Sequence, residues 1–422
     1  MVDHTILTRM FDIAVKAADP METIPAALPP KPNGRVIVIG AGKASARMAE
    51  AVEAEWGPCE GLVITRYGYA RPTQGIEIVE ASHPVSDLAG VEATKRIITL
   101  LEGLGKNDFV LSLISGGGSA LLCAPGGMMT LEDKQATHRA LLESGAPIGQ
   151  MNVVRKHLSR VKGGQLAAAA YPAKMLTLMI SDVPGDDPAD IASGPTVGEV
   201  STSSDAMDII AKCQLNLPRS AIAALSDSGV LKPDDPRLAN VENTIISAPS
   251  QSLAAAQKLA QGEGFDVKVL GDSIEGEARQ EAKRQVDLAL KVQQEMFETA
   301  PPIILLSGGE CTVSGWGGGI GGPNAEFCLA AAISLQKTPG IHVIACDTDG
   351  VDGAADVAGA LVFPDTLDRA QVDPLEALRR SDSHTFFGKL NDQVVTGPTL
   401  TNVNDFRAIL ISNPVGHVPP SE

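Results

Sequence analysis

The feature that most constrains this chain is a recurring unit. A short, apolar, β-branched run stops in a glycine-rich or aspartate-rich loop, and a helical pattern follows. Arg35-Val-Ile-Val-Ile39 runs into Gly40-Ala-Gly-Lys43 and a helix through Ala54. Phe109–Ile114 runs into Ser115-Gly-Gly-Gly-Ser-Ala120, and Met175–Ile180 into Ser181-Asp-Val-Pro-Gly-Asp-Asp187. Leu62–Thr65 and Ile76–Glu80 add two strands, a helix is predicted from about Ser86 to Leu104, and Thr130-x-x-Asp133 is a capping-box start for another. Such alternation is the sequence form of a parallel sheet covered by helices on both faces. Ligands in these sheets sit outside the carboxyl ends of the strands, where the loops lie.

The second half repeats the logic. After the polar, proline-bearing Lys232–Arg237, the pattern resumes with Thr244–Ser247, a helix from Ser250, Val267–Leu270 and a charged helix near Ile274–Glu298. Ile303–Leu306 then runs into Ser307-Gly-Gly-Glu310, and Val343–Ala345 into Asp347-Thr-Asp-Gly-Val-Asp-Gly353. We read two α/β lobes, residues 1–238 and 239–422, with a cleft between them and the last strand a candidate to return to the first lobe. A length of 422 residues suits two to three domains of about 100–200 residues each.

Charge and composition exclude several classes. The net charge is -17, from 34 basic and 51 acidic side chains, and aromatics are 3%. A nucleic-acid binder wants a basic footprint and stacking platforms, so no nucleic-acid partner is expected. Ile6, Met10, Ile13 and Ala14 fall on one face of an amphipathic helix, which is not a secretion signal, and no window reaches 18 uninterrupted apolar residues. The six cysteines are scattered without a CxxC pair, so buried free thiols in a cytoplasmic protein are expected.

The loops carry the chemistry. Gly40-x-Gly42 after a strand lets backbone amides approach a phosphate, although Ser45 only partly matches the third small residue of a dinucleotide fingerprint. Lys43 sits at a helix start, where a cation opposes the macrodipole, and an anionic ligand explains it better than stability does. The plain alternative is a solvated lysine at a tight turn. Ser115, Gly116, Gly117, Gly118 and Ser119 form a run whose amides can make an anion nest. Arg155, Lys156, Arg160 and Lys162 gather cations in an otherwise acidic chain, against the default of a solvated helix face. The carboxylates of 181–187 and 347–352 exceed what caps and Asx turns need, so Mg²⁺ is expected, held by carboxylates and substrate phosphates. His83 and His157 are more readily satisfied structural histidines than catalytic ones. Lysine, glycine loops and carboxylates together form the inventory of phosphoryl transfer.

These residues carry a resemblance. Val38-Ile-Gly-Ala-Gly-Lys-Ala44, Ser82-His-Pro84, Ile114–Ala120, Val154-Arg-Lys-His-Leu-Ser159 and Ile180–Pro188 resemble the glycerate 2-kinase family. So do Ser193-Gly-Pro-Thr196, Leu306–Glu310, Asp349–Gly353 and Thr396–Asp405, in order along nearly the whole chain. The resemblance implies a Rossmann-like three-layer α/β/α N-terminal lobe, a smaller α/β MOFRL lobe, and an ATP- and Mg²⁺-dependent kinase making 2-phosphoglycerate from D-glycerate. It implies catalytic roles for Lys43, Asp182 and Arg155. It implies binding roles for Gly40, Gly42, Ser115, Gly116, Gly117, Gly118, Ser119, Lys156, Glu310 and Asn324, and metal binding by Asp187 and Asp349. A homodimer is a candidate assembly, with small-molecule substrates and no membrane. One departure stands out: the family's Gly-Gly-Arg-Asn-Gln-Glu is here Gly321-Gly-Pro-Asn-Ala-Glu326, and proline cannot supply a bidentate phosphoryl clamp, although it suits a helix's first position. Members of this family also carry the label hydroxypyruvate reductase of tartrate utilisation. An NAD(P)H-dependent reductase, supported by Gly40-x-Gly42, therefore stands as the alternative, with a non-catalytic glycerate- or nucleotide-binding relative as a third.

Overall fold

The strands that end in the first set of loops pair into one parallel sheet. They are β1 (Val36–Ala41), β2 (Glu60–Arg66), β3 (Ile76–Ala81), β4 (Phe109–Ile114), β5 (Lys174–Ile180) and β6 (Val241–Ser247). Their order is β3-β2-β1-β4-β5-β6, the doubly wound arrangement whose direction of winding reverses between β1 and β4. All six residues of β1 are buried, as expected of a strand covered on both faces. Ile37, Ile39 and Ala41 pack with Ala93, Ile97 and Leu101 of the helix Leu88–Leu101 and with Leu166, Ala167 and Ala170, while Val36 and Val38, pointing the other way, are equally buried. The Thr130/Asp133 capping box starts the helix Leu131–Glu143 as predicted.

The computed structural model describes residues 4–297, 299–315, 317–353 and 355–413, and the chain divides into two compact units. One is continuous, Pro20–Ser247; the other is split, Met1–Asp19 with Ala248–Glu422. The boundary read at 238/239 therefore comes one strand too early, because Val241–Ser247 pairs with β5 as the edge of the parallel sheet. The N-terminal helix Ile6–Ala17, expected in the first lobe, belongs to the split unit. Its buried face, Ile6, Leu7, Met10, Phe11 and Ala14, packs on that unit's sheet and on Leu253, Ala256 and Ala260.

The split unit's sheet comprises β7 (Asp266–Gly271), β9 (Ile303–Gly309), β11 (Ile341–Asp347), β12 (Gly359–Val362), β13 (Gln393–Val394) and β14 (Asp405–Ile411). A two-residue ribbon, β8 (Gly276–Glu277) with β10 (Cys311–Thr312), lies apart from it. The order β13-β12-β11-β14-β9-β7 is mixed: only β7 and β9 are parallel, and β14 runs antiparallel between β9 and β11. The echo between Ser307–Glu310 and Ser115–Gly118 thus does not extend to sheet topology. The last strand stays in the split unit and does not return to the first. Helices cover both faces. Leu305, Val343, Ile409 and Ile411 pack against Ala278–Glu295 and Pro323–Leu335, and Ile304, Ile344, Ala408 and Leu410 against the N-terminal helix.

Candidate functional site

The loops after β1 and β4 meet at the reversal point of the parallel sheet, and their glycines are there for contact. A methyl group on Gly40 would lie 2.4 Å from the Leu113 carbonyl oxygen, one on Gly42 2.0 Å from Ser115 Oγ, and one on Gly118 2.8 Å from the Ala41 carbonyl oxygen. The amides of this junction are consumed internally. Gly42 donates to Ile64 O (3.1 Å), Lys43 to Gly116 O (2.8 Å) and Ala44 to Ser115 Oγ (3.0 Å). Ser115 donates its amide to Ala41 O (3.3 Å), and Ser45 Oγ reaches Leu113 O (2.9 Å). Gly40 and Gly42 therefore lock two loops together and do not present a row of donors. The amides of Gly116 and Gly117, by contrast, take no backbone partner among the described residues.

Gly117 is the hinge of the site. It has φ 80° and ψ -11°, left-handed backbone that glycine adopts without strain. An added methyl would meet His83 Cδ2 at 3.0 Å, His83 Nε2 at 3.1 Å and Lys43 Cγ at 3.2 Å. Three motifs that are far apart in sequence, Gly40–Lys43, Ser82–Pro84 and Ser115–Ser119, thus converge on the half-buried Lys43.

Beside Gly117 and His83 opens a cavity of about 210 Å³. Its polar lining carries Lys134, His138, Arg155 and Lys162, and among the described residues no Asp or Glu lines it. Arg155 donates from Nη2 to His138 Nδ1 (3.1 Å) and from Nη1 to Asn152 Oδ1 (3.3 Å), and its Nε is buried without a partner. Burial, then the charges of Arg155 and Lys134, push His138 down to about 4, so its imidazole is neutral and Nδ1 can accept from Arg155. Lys134 donates to Ser86 Oγ (2.7 Å) and burial lowers its pKa. Lys162 donates to Ser119 O (2.9 Å), Ser119 Oγ (3.1 Å) and Ala192 O (3.4 Å), and burial pushes it down to about 7. Ser119 Oγ also shares a hydrogen bond with Ser193 Oγ (2.5 Å).

The basic cluster read from sequence is therefore divided. Arg155 and Lys162 line the cavity and Arg160 is exposed, whereas Lys156 is buried in an ion pair with Glu199 (2.6 Å) and approaches Asp190 (3.4 Å). His157 bonds to Ser228 and Ser201. Consecutive helical residues point about 100° apart, so only some of the run can face one cavity. Lys134 and His138, one turn apart on a helix that reads locally as a charged surface, were not foreseen; their i, i+4 spacing was the available signal.

The carboxylates are also divided. Asp182, half-buried, follows β5, and Asp187 is exposed with Oδ1 accepting the Ala189 amide (2.9 Å). In the split unit Glu310 is exposed after β9, and Asp349 is 1% exposed with Oδ1 accepting the Val351 amide (2.8 Å). Asp347 accepts the Asp349 amide, and Asp352 caps the helix that begins at Pro323, through the amides of Asn324 (3.0 Å) and Ala325 (2.8 Å). Asn324 is 1% exposed, and its side chain donates to Asp405 Oδ1 (2.6 Å). Pro323 does stand at the helix start. Among the described residues no three His, Cys, Asp or Glu side chains converge as a metal cage. No helix among them is long and apolar enough to cross a membrane.

Fold and site together define an α/β protein of the doubly wound class, with a cavity lined by basic side chains near the carboxyl ends of its strands. Residues 6–226 match the model described as a domain of unknown function, DUF4147, and residues 303–405 match the MOFRL family. The chain is 38% identical to the D-glycerate 2-kinase of Thermotoga maritima, over 93% of this chain and 94% of that protein. It is 51% identical to an Agrobacterium vitis protein with the provisional name hydroxypyruvate reductase, over 96% of this chain and 94% of that one. The crystal structure of glycerate kinase from Thermotoga maritima superposes with a TM-score of 0.85 at 36% identity, covering 97% of this chain and 99% of that chain. The chain belongs to the glycerate kinase family whose C-terminal part is a MOFRL domain.

Proposed function

We propose that this chain phosphorylates the 2-hydroxyl of D-glycerate with ATP. The observation that carries the reading is the convergence of Lys43, His83 and Gly117 at the reversal point of the parallel sheet, next to a cationic cavity. Phosphoryl transfer asks a protein mainly for positioning and charge neutralisation. In this reading the Lys43 ammonium neutralises charge growing on the transferred group. The Gly116 and Gly117 amides donate to its oxygens, and Asp182 orients the acceptor hydroxyl and takes its proton. Mg²⁺ arriving with the nucleotide needs only one or two carboxylates besides phosphates and water, and would neutralise charge on the phosphates. Asp187, exposed with one carboxylate oxygen used by a turn, suits that role together with Asp182, and the buried, turn-bound Asp349 suits it less. Lys156, spent on Glu199, is not available to take the place of the missing arginine.

The name of the Agrobacterium relative keeps a reductase in view, and the β1 loop argues against it. A dinucleotide pyrophosphate needs free amides where Gly42, Lys43 and Ala44 bond internally, and β2 ends in Thr65-Arg66 where an acidic ribose ligand would stand. The six cysteines are all free thiols, which suits a reducing cytoplasm. ADP release with D-glycerate and MgATP, and NADH oxidation with hydroxypyruvate, measured on one preparation, decide between the two reactions. Silence of the first at high enzyme concentration overturns the kinase. Lys43→Ala is expected to lower turnover at least ~10²-fold, the scale of losing one transition-state charge contact.

A further inference from the structure

We infer that the cavity beside Gly117 holds the carboxylate of a short-chain hydroxy acid, gripped by Lys134 and Arg155. The inference rests on the kinase reading for the identity of the acid and deepens it by assigning the specificity pocket.

Size is the first argument. The cavity, about 210 Å³, has room for a three- or four-carbon acid. Charge is the second. Lys134, Arg155 and Lys162 share one cavity whose lining, among the described residues, has no carboxylate. Each like-charged neighbour raises the cost of burying the next, and a fold keeps such an arrangement when an anion completes it. Elsewhere the chain does pair a buried cation: Lys156, the next residue after Arg155, has Glu199.

Hydrogen bonding is the third argument. Neutral His138 and Asn152 hold the Arg155 guanidinium by two of its nitrogens, and the buried Nε keeps an unused donor. Lys134 has one hydroxyl partner, Ser86 Oγ. A carboxylate oxygen accepts readily from the Lys134 ammonium and from the guanidinium N–H groups of Arg155 that His138 and Asn152 leave unused. The lining also includes the apolar Met129 and Leu141, which offer nothing to a second charged group. Burial lowers the pKa of all three cations, as expected where no counter-charge is present. Because Gly117 and His83 line the cavity, and both His83 and Lys43 lie close to the Gly117 Cα, an acid anchored by its carboxylate extends its hydroxyls toward the Lys43 side of Gly117.

The test is titration calorimetry without nucleotide on the full chain, using D-glycerate and, as the uncharged analogue, glycerol. Wild type is expected to bind D-glycerate and not glycerol. Lys134→Met and Arg155→Met each lose roughly 10- to 100-fold in affinity for D-glycerate, the scale of one hydrogen bond to a charged group. Lys134→Arg, which keeps the charge and guards against a folding defect in the methionine variant, recovers most of the loss. Unchanged D-glycerate binding in both methionine variants, equal binding of glycerol and glycerate, or no D-glycerate binding by wild type overturns the pocket. The two readings fail separately. Turnover of D-glycerate with unaffected binding in the variants sinks the pocket and leaves the kinase. Charge-dependent binding without any turnover sinks the kinase and leaves the pocket.

Discussion

Substitution of Gly117 by alanine separates backbone strain from damage to the site. The left-handed φ of 80° costs a non-glycine residue about 1–2 kcal/mol. The exposed Gly103, φ 77°, carries the same penalty, and a methyl there meets nothing within 4 Å. Both variants should therefore lose about 1–2 kcal/mol, a Tm drop of roughly 2–8 °C for a unit of this size. Only Gly117→Ala forces neighbours to move, because its methyl arrives 3.0 Å from His83 and 3.2 Å from Lys43. A displacement of several tenths of an ångström at Lys43, the lysine proposed to act on the transferred group, is a substantial part of the 1 Å error that costs about 10²-fold. Steady-state ADP release should then fall at least ~10-fold in Gly117→Ala and stay within about threefold in Gly103→Ala, at matched thermal stability. Near-normal turnover in Gly117→Ala would refute the claim that these three loops form one catalytic junction.

Three further outcomes follow from the geometry. Lys156→Met leaves the buried Glu199 unpaired and should cost about 3–5 kcal/mol in chemical denaturation, with much of the loss recovered by adding Glu199→Gln. Burial opposes ionisation of Glu199, but Lys156 and the Ser201 amide outweigh it and hold its pKa below the usual value, so this contribution is present at neutral pH and is lost as acid protonates the carboxylate. Lys162, lowered to about 7 by burial and faced by Lys134, Cys123, Arg155 and Lys156, binds its proton less tightly folded than unfolded; stability should rise with pH from about 7 toward 10, and Lys162→Met should flatten that slope in a pH series of denaturation curves. Cys328 and Cys346, buried with raised pKa values, should resist a thiol reagent until the chain unfolds, whereas half-buried Cys213 reacts in the native state.

What was legible in the sequence was what is local. The Thr130/Asp133 capping box, the strand ends before each loop and the apolar face of Ile6–Ala17 are set by residues within a few positions of each other, and the structure has them. Partnership across the chain was not legible. Glycines 40 and 42 looked like a phosphate cradle because the sequence does not show that Ser115 and Leu113 lie against them. The surplus of carboxylates at 347–352 looked like metal ligands, yet Asp347, Asp349 and Asp352 all accept backbone amides, the last across to another helix. Lys134 lies on a helix that also carries Glu132 and Asp133, so nothing nearby marked it as cavity-facing; only folding sets it beside Arg155 and Lys162.

The split composition of the second unit has a consequence for biosynthesis. Helix Ile6–Ala17 is made well before β14, one of the strands it packs on, which ends at Ile411. At about 5–20 residues per second, its apolar face waits roughly 20–80 s for that strand. The parallel sheet, complete at Ser247, is available to fold during this interval. Synthesis stalled between Ser247 and Ile411 would yield a finished first sheet and a helix whose apolar face still lacks β14.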